Sequence, residues 1–160
     1  MYFDENPMAK ERLSEEFVPV SKPRISLSPA PSFIEPEIMR QSLKLYRTNK
    51  LFQFLSFHFG QEATEELMLR YHVGTSKHWP GATVFWQVDI SGRVRTGKVM
   101  LYNPENGRRI KEPHNYITWV HSILKKENFN LRQCLFGEHL LSSDQQRPVC
   151  LLYTSPSPRD

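Results

Sequence analysis

Long apolar runs, paired cysteines and metal-ligand spacings are all missing from this sequence of 160 residues, and each absence removes a class of function. No apolar stretch reaches the ~18–20 residues that a membrane-spanning helix needs. The N-terminus, MYFDENPMAKERLSEE, lacks the basic-then-apolar order of a signal peptide, so a cytoplasmic protein with no membrane partner is expected. The two cysteines, Cys134 and Cys150, stand too far apart for a C-x-x-C unit. A disulfide between them is open in principle, but a partly buried free thiol at Cys134 is the preferred reading. Among the six histidines, His72-x5-His78 and His114-x6-His121 match neither an i,i+4 helical pair nor a finger motif, so no metal site is expected. Asp89, Glu105 and Glu138 have no spacing to His114 or His139 that marks an acid–base centre, and no catalytic residue is assigned.

What is present allows one domain of ordinary size with extra segments at its ends. Twelve prolines and a mean hydropathy of −0.54 indicate that part of the chain does not pack. Residues 1–35 read as a linker, since Pro23, Pro29, Pro31 and Pro36 crowd a short span and proline forbids regular hydrogen bonding. A proline-rich ligand for a partner domain is the alternative. A helical block follows. Met39, Leu43 and Tyr46 recur at i, i+4, i+7, and Asn49 breaks that helix. Residues 50–59, KLFQFLSFHF, predict a short helix buried on more than one side, with His58 a hydrogen-bonded core histidine. Gly60 stops it, and residues 61–71 predict a further helix with Ala63, Leu67 and Tyr71 inward.

The charge is concentrated in one place. Between Arg70 and Lys111 eight Lys or Arg face only Asp89 and Glu105, a local excess of six that exceeds the formal +4 of the whole chain. The same stretch carries the strand signals: Thr83 to Asp89 alternates Val84, Trp86 and Val88, Ile90-Ser91-Gly92 supplies a turn, and Arg93 to Tyr102 runs back. Residues 103–107, NPENG, turn the chain again. A basic hairpin is a surface for an anionic partner, and Arg93, Arg95, Lys98, Arg108, Arg109, Lys111, Lys77 and Trp79 are the candidate nucleic-acid contacts. Arg93, Arg95 and Lys98 are expected to be exposed charges on the strand face. The plainer alternative is a solvated sheet face whose aromatics are core.

After the hairpin, Tyr116, Val120 and Ile123-Leu124 predict a short helix ending at Lys125-Lys126. Residues 131–137 predict a buried strand or turn, and residues 138–141 a last half-turn. The order of elements predicts an α+β fold: a helical block, then a small antiparallel sheet holding the basic hairpin, then a short helix.

Distinctive strings carry a resemblance. YHVGTSKHWPGATVFWQVD, GRVRTGKVMLYNPENGRRIKEP, ITWVHSIL and CLFGEHLL make residues 36–149 resemble a domain-of-unknown-function family of gut-bacterial mobile-element proteins. Members of that family look like primase relatives, with a zinc-ribbon-like segment before this domain and a toprim-like catalytic segment after it. The pattern Val73-Gly74, Asp89-Ile-Ser-Gly92-Arg93-Val94, Lys111-Glu-Pro-His-Asn115 and Leu135-Phe136-Gly137 is also similar to the subdomain that precedes the toprim core in bacterial replicative primases. The resemblance implies single-stranded DNA or another nucleic acid as partner. It also implies that divalent metal and zinc belong to segments outside this chain, with no cofactor in it. The toprim Glu and D-x-D are not found here, so a truncated domain is expected. Residues 150–160, CLLYTSPSPRD, resemble a translated sequencing-library adapter, which would leave Cys150 without biological meaning; a natural Ser/Pro tail is the alternative.

Overall fold

The strand alternation around Trp86 builds the centre of the molecule. In the structure, a computed structural model describing residues 29–141, β2 (Ala82–Val88) and β3 (Val94–Met100) form the middle of an antiparallel sheet. The short strands β1 (Val73–Ser76) and β4 (Ile117–Trp119) flank them in the order β1-β2-β3-β4. Gly92, at φ +76°, completes the β2–β3 turn in a conformation that side chains disfavour, and its amide donates to Asp89 O at 2.8 Å. The register shifts at the end of this pair: Val88 faces Val94 and Gln87 faces Thr96, which leaves Arg95 as the extra residue of a β-bulge.

Four helices cover the sheet: α1 (Pro36–Ser42), α2 (Lys50–Phe59) and α3 (Gln61–Arg70) precede it, and α4 (Val120–Ile123) follows. The α+β architecture and the order of its parts therefore agree with the sequence reading. On one face Val84, Trp86, Val88, Val94 and Val99 pack with Ile34, Met39 of α1 and Val120 of α4. Trp86 is 1% exposed, and its Nε1 donates to Ser42 Oγ at 2.8 Å. Gly74 on β1 lets the end of α1 approach, because a Cβ there would collide with Ser42. On the opposite face Val73 and Phe85 meet Phe52 of α2, Met68 of α3 and Tyr46.

Asn49 ties the second layer to the sheet. Its Oδ1 accepts from the amides of Leu51 and Phe52, capping α2, and from Thr83 Oγ1 at 2.8 Å. Its Nδ2 donates to Gly74 O and Thr75 Oγ1, so one fully buried amide links α2, β1 and β2.

Several expectations are corrected. The α2 helix buries only Phe52, whereas Phe57 is 86% exposed and His58 is exposed among the rings of Phe54, Phe57 and Phe59. A helix lying on a sheet needs one inward stripe, and the remaining apolar residues of α2 exceed it. In α3 the inward residues are Thr64 and Met68; Ala63, Leu67 and Tyr71 are exposed. Thr64 can be buried because its hydroxyl donates to Gly60 O at 2.8 Å. The first helix ends at Ser42, and Tyr46 sits on a separate 3-10 turn, Tyr46–Thr48. Residues 117–119 form a strand rather than the start of a helix, and of the buried strand or turn expected at 131–137 only a turn at 136–137 forms, with Leu135 and Phe136 exposed. Of the stretch read as a linker, Ile34 is 2% exposed and its amide donates to Val94 O. Residues 1–28 and the adapter-like 150–160 segment lie outside the described residues. Among the described residues no helix is long and apolar enough to cross a membrane.

Candidate nucleic-acid interface

Sheet register divides the candidate basic residues between the two ends of the sheet. Ser76 faces Ala82 and Thr83 faces Met100, so the β1–β2 connection (with Lys77 and Trp79) shares one end with the chain leaving β3. That chain extends as a second small hairpin. Tyr102 bridges Arg109, the Asn103 amide donates to Arg108 O, and the Ile110 amide donates to Leu101 O. Arg108, Arg109 and Lys111 therefore join Lys77 and Trp79 at this end. Arg93 and Arg95 lie at the other, about 20 Å away along seven-residue strands.

The turn end is an internal ionic cluster. Asp89, 2% exposed, accepts from the amides of Ser91 and Arg93 through Oδ1. Its Oδ2 accepts from Arg93 Nε at 3.0 Å and from Arg95 Nε and Nη2, both at 2.9 Å. Both guanidinium groups also lie over the Phe33 ring, at 4.8 and 4.9 Å. Burial pulls the Asp89 carboxyl upward, but the Arg93 amide, the Arg95 guanidinium and the two positive charges outweigh it and hold the pKa below its usual value. The expectation of exposed strand-face charges holds for Arg93, whose side chain is 53% exposed, and is corrected for Arg95, which is 14% exposed; both are engaged by Asp89. The pattern D-x-S-G-R-x-R is thus explained by a turn that folds its own charges together.

Lys98 is placed differently. It points to the α2–α3 face, where it stands between Phe85 and Trp119 in register and its Nζ lies 5.5 Å from the Trp119 ring centroid. Phe85 in turn meets Tyr102 and Phe136 edge-on. Burial raises the Tyr102 phenol pKa, partly offset by the charge of Arg109. Lower on the same face Gln87 Oε1 is buried without a partner among the described residues. A lysine, partly exposed rings and an unused acceptor thus run across β2, β3 and β4. At the basic end Trp79 is half-buried, meeting Tyr116 edge-on at 5.3 Å and His78 at 4.5 Å. Lys77, Lys98, Arg108, Arg109 and Lys111 pair with no carboxylate among the described residues.

Sequence reasoning missed Asp89 as the partner of two arginines and missed Trp119 altogether. The first was legible: an Asp four and six residues before arginines, across a Gly turn, invites the contact. Trp119 was hidden by the helical spacing of its neighbours. Cys134 is the expected half-buried free thiol, and burial first, then the charges of Glu138 and Asp89, push its pKa up to about 11. A thiol held protonated in this way is a poor nucleophile.

These features define an α+β domain with helices on both sides of a four-stranded antiparallel sheet, with Lys98 on β3 and four further basic residues at one end of the sheet that pair with no carboxylate among the described residues. The chain belongs to the family Domain of unknown function (DUF6371), matched over residues 49–155. That range begins at the Asn49 cap of α2 and contains the whole sheet. No curated protein and no solved structure matches the chain.

Proposed function

We propose that this domain binds nucleic acid, single-stranded DNA in the first place, as part of a larger primase-like, toprim-associated protein of a bacterial mobile element. The supporting observation is the split among its basic residues. Arg93 and Arg95 share the Asp89 carboxylate, whereas Lys77, Lys98, Arg108, Arg109 and Lys111 pair with no carboxylate among the described residues, and Lys98 lies over the Trp119 ring. Lysine and arginine neutralise phosphates, and partly exposed rings offer stacking surfaces to unpaired bases. The role is to hold a strand; the chemistry of joining nucleotides, with its divalent metal and zinc, is assigned to other segments of the parent protein, and the cytoplasm is where such a protein works. Filter binding of a single-stranded oligonucleotide at low and at high salt tests this. Binding that weakens steeply with salt is expected, and no binding, or binding indifferent to salt, would refute it.

One observation favours a second reading, a protein-interaction module. Phe57, Phe59, Leu67, Leu69 and Phe136 are 46–86% exposed, the first four on α2 and α3. A strand-binding domain with such a side would be held to the rest of its machine through it.

A further inference from the structure

On the Trp86 side of the sheet, α1 and α4 stand apart at the β1 edge and leave a cavity of about 380 Å³. Ile38 of α1, Val84 of β2 and Ile123 of α4 make its apolar wall. Its polar lining includes Gln41, His78 and the cationic Lys77, beside the hydroxyls of Ser42, Thr75 and Ser76. The Trp86 ring also lines it, but its Nε1 already donates to Ser42 Oγ, so the indole offers contact and no free donor. The volume falls within the range of small-ligand sites, roughly 300–1,000 Å³.

The lining restricts what can occupy this space. An aliphatic chain would use none of the polar groups of the lining, and a bare anion would leave the apolar wall in water. A flat, mostly apolar ring with a polar edge and an attached anion satisfies both halves. Among the described residues the Gln41 side chain is tied only by a long 3.4 Å bond to Glu37, and it presents both a donor and an acceptor. Lys77 supplies a compact positive charge suited to phosphate. From Lys77 the chain passes directly through His78 to Trp79, so the cavity opens onto the basic end of the sheet.

We infer that this cavity holds one unstacked nucleobase, its edge met by Gln41 and its phosphate by Lys77 and His78. The inference rests on the nucleic-acid reading above. A bound strand and a free nucleotide present the same chemistry, and the experiment separates them. Fluorescence anisotropy would compare a labelled 12-nucleotide thymidine strand with an abasic strand of equal length, on the wild-type chain and on two pocket-filling variants, Gln41→Trp and Ile38→Phe. Gln41 is exposed, so its variant is expected to fold, and a melting curve checks both.

The wild type is expected to bind the thymidine strand about tenfold tighter than the abasic one, and both variants are expected to lose that preference while keeping their affinity for the abasic strand. Equal affinity for the two strands, or a preference that survives filling, overturns the pocket and leaves strand binding standing. Failure to bind either strand overturns the nucleic-acid reading and this inference with it. Thymidine monophosphate that competes away only the base-dependent part shows that a free nucleotide can occupy the same pocket as the strand's base. If it does not compete, the base comes from the strand. Displacement by decanoate, with a strand preference insensitive to filling, would mean an acyl site and sink the proposal.

Discussion

At Asp89 a buried carboxylate gathers two backbone amides and two guanidinium groups, and this changes what the neighbouring arginines can do. Removing Arg95 takes two hydrogen bonds from that carboxylate, so Arg95→Ala is expected to cost about 1–3 kcal/mol of stability. Lys98→Ala, which gives up a half-exposed cation–π contact, is expected to stay within about 1 kcal/mol and to weaken strand binding instead. Denaturant melts of the two variants check this, and equal losses would make Lys98 structural. His72 carries the pH dependence on this scale. Its ring stacks on His139 at 4.1 Å, and its pKa is lowered by burial first and then by His139. A depressed histidine pKa contributes stability that is full above the unfolded value, about 6.5, and is lost as pH falls through the folded one. His121, whose pKa burial also lowers, adds to the same trend. Melting temperature should therefore drop as pH falls from 7 to 5. His72→Asn, which suits the positive φ of 50° at this position, should flatten part of that slope; an unchanged slope would remove His72 from the account.

Among the elements, the α2 cap and the sheet are joined by one side chain. Asn49→Ala removes the helix cap and leaves the Thr83 hydroxyl and the Gly74 carbonyl without the partners they have now. A loss of about 2–4 kcal/mol in a denaturant melt is expected, and a loss below 1 kcal/mol would mean that water replaces the network. The central hairpin was legible because Val84, Trp86 and Val88 alternate and Gly92 marks the turn. The edge strands were not. β1, Val-Gly-Thr-Ser, is too short to alternate, and β4 lies inside a run whose Tyr116, Val120 and Ile123 keep helical spacing. The inward faces of α2 and α3 were misread for a related reason. Each helix has more apolar positions than the sheet can cover, so periodicity gives an apolar stripe without saying which stripe meets the core. Charge was legible in amount but not in availability, because only the fold brings Arg93, Arg95 and Asp89 together.

For the whole molecule, the eight basic residues of the positive stretch divide into Arg70 at the end of α3, the two arginines that meet Asp89 at the turn, and a second set that pairs with no carboxylate among the described residues. Five residues make up that second set: Lys77, Lys98, Arg108, Arg109 and Lys111. Each phosphate neutralised on a single strand contributes about −0.7 to the slope of log affinity against log salt. The most direct measurement is therefore the affinity of the intact chain for a single-stranded oligonucleotide across a salt series. With three to five contacts formed, the slope is predicted to fall between about −2 and −3.5. A slope near zero, or no measurable affinity at low salt, would contradict the assignment of this sheet as a strand-holding surface.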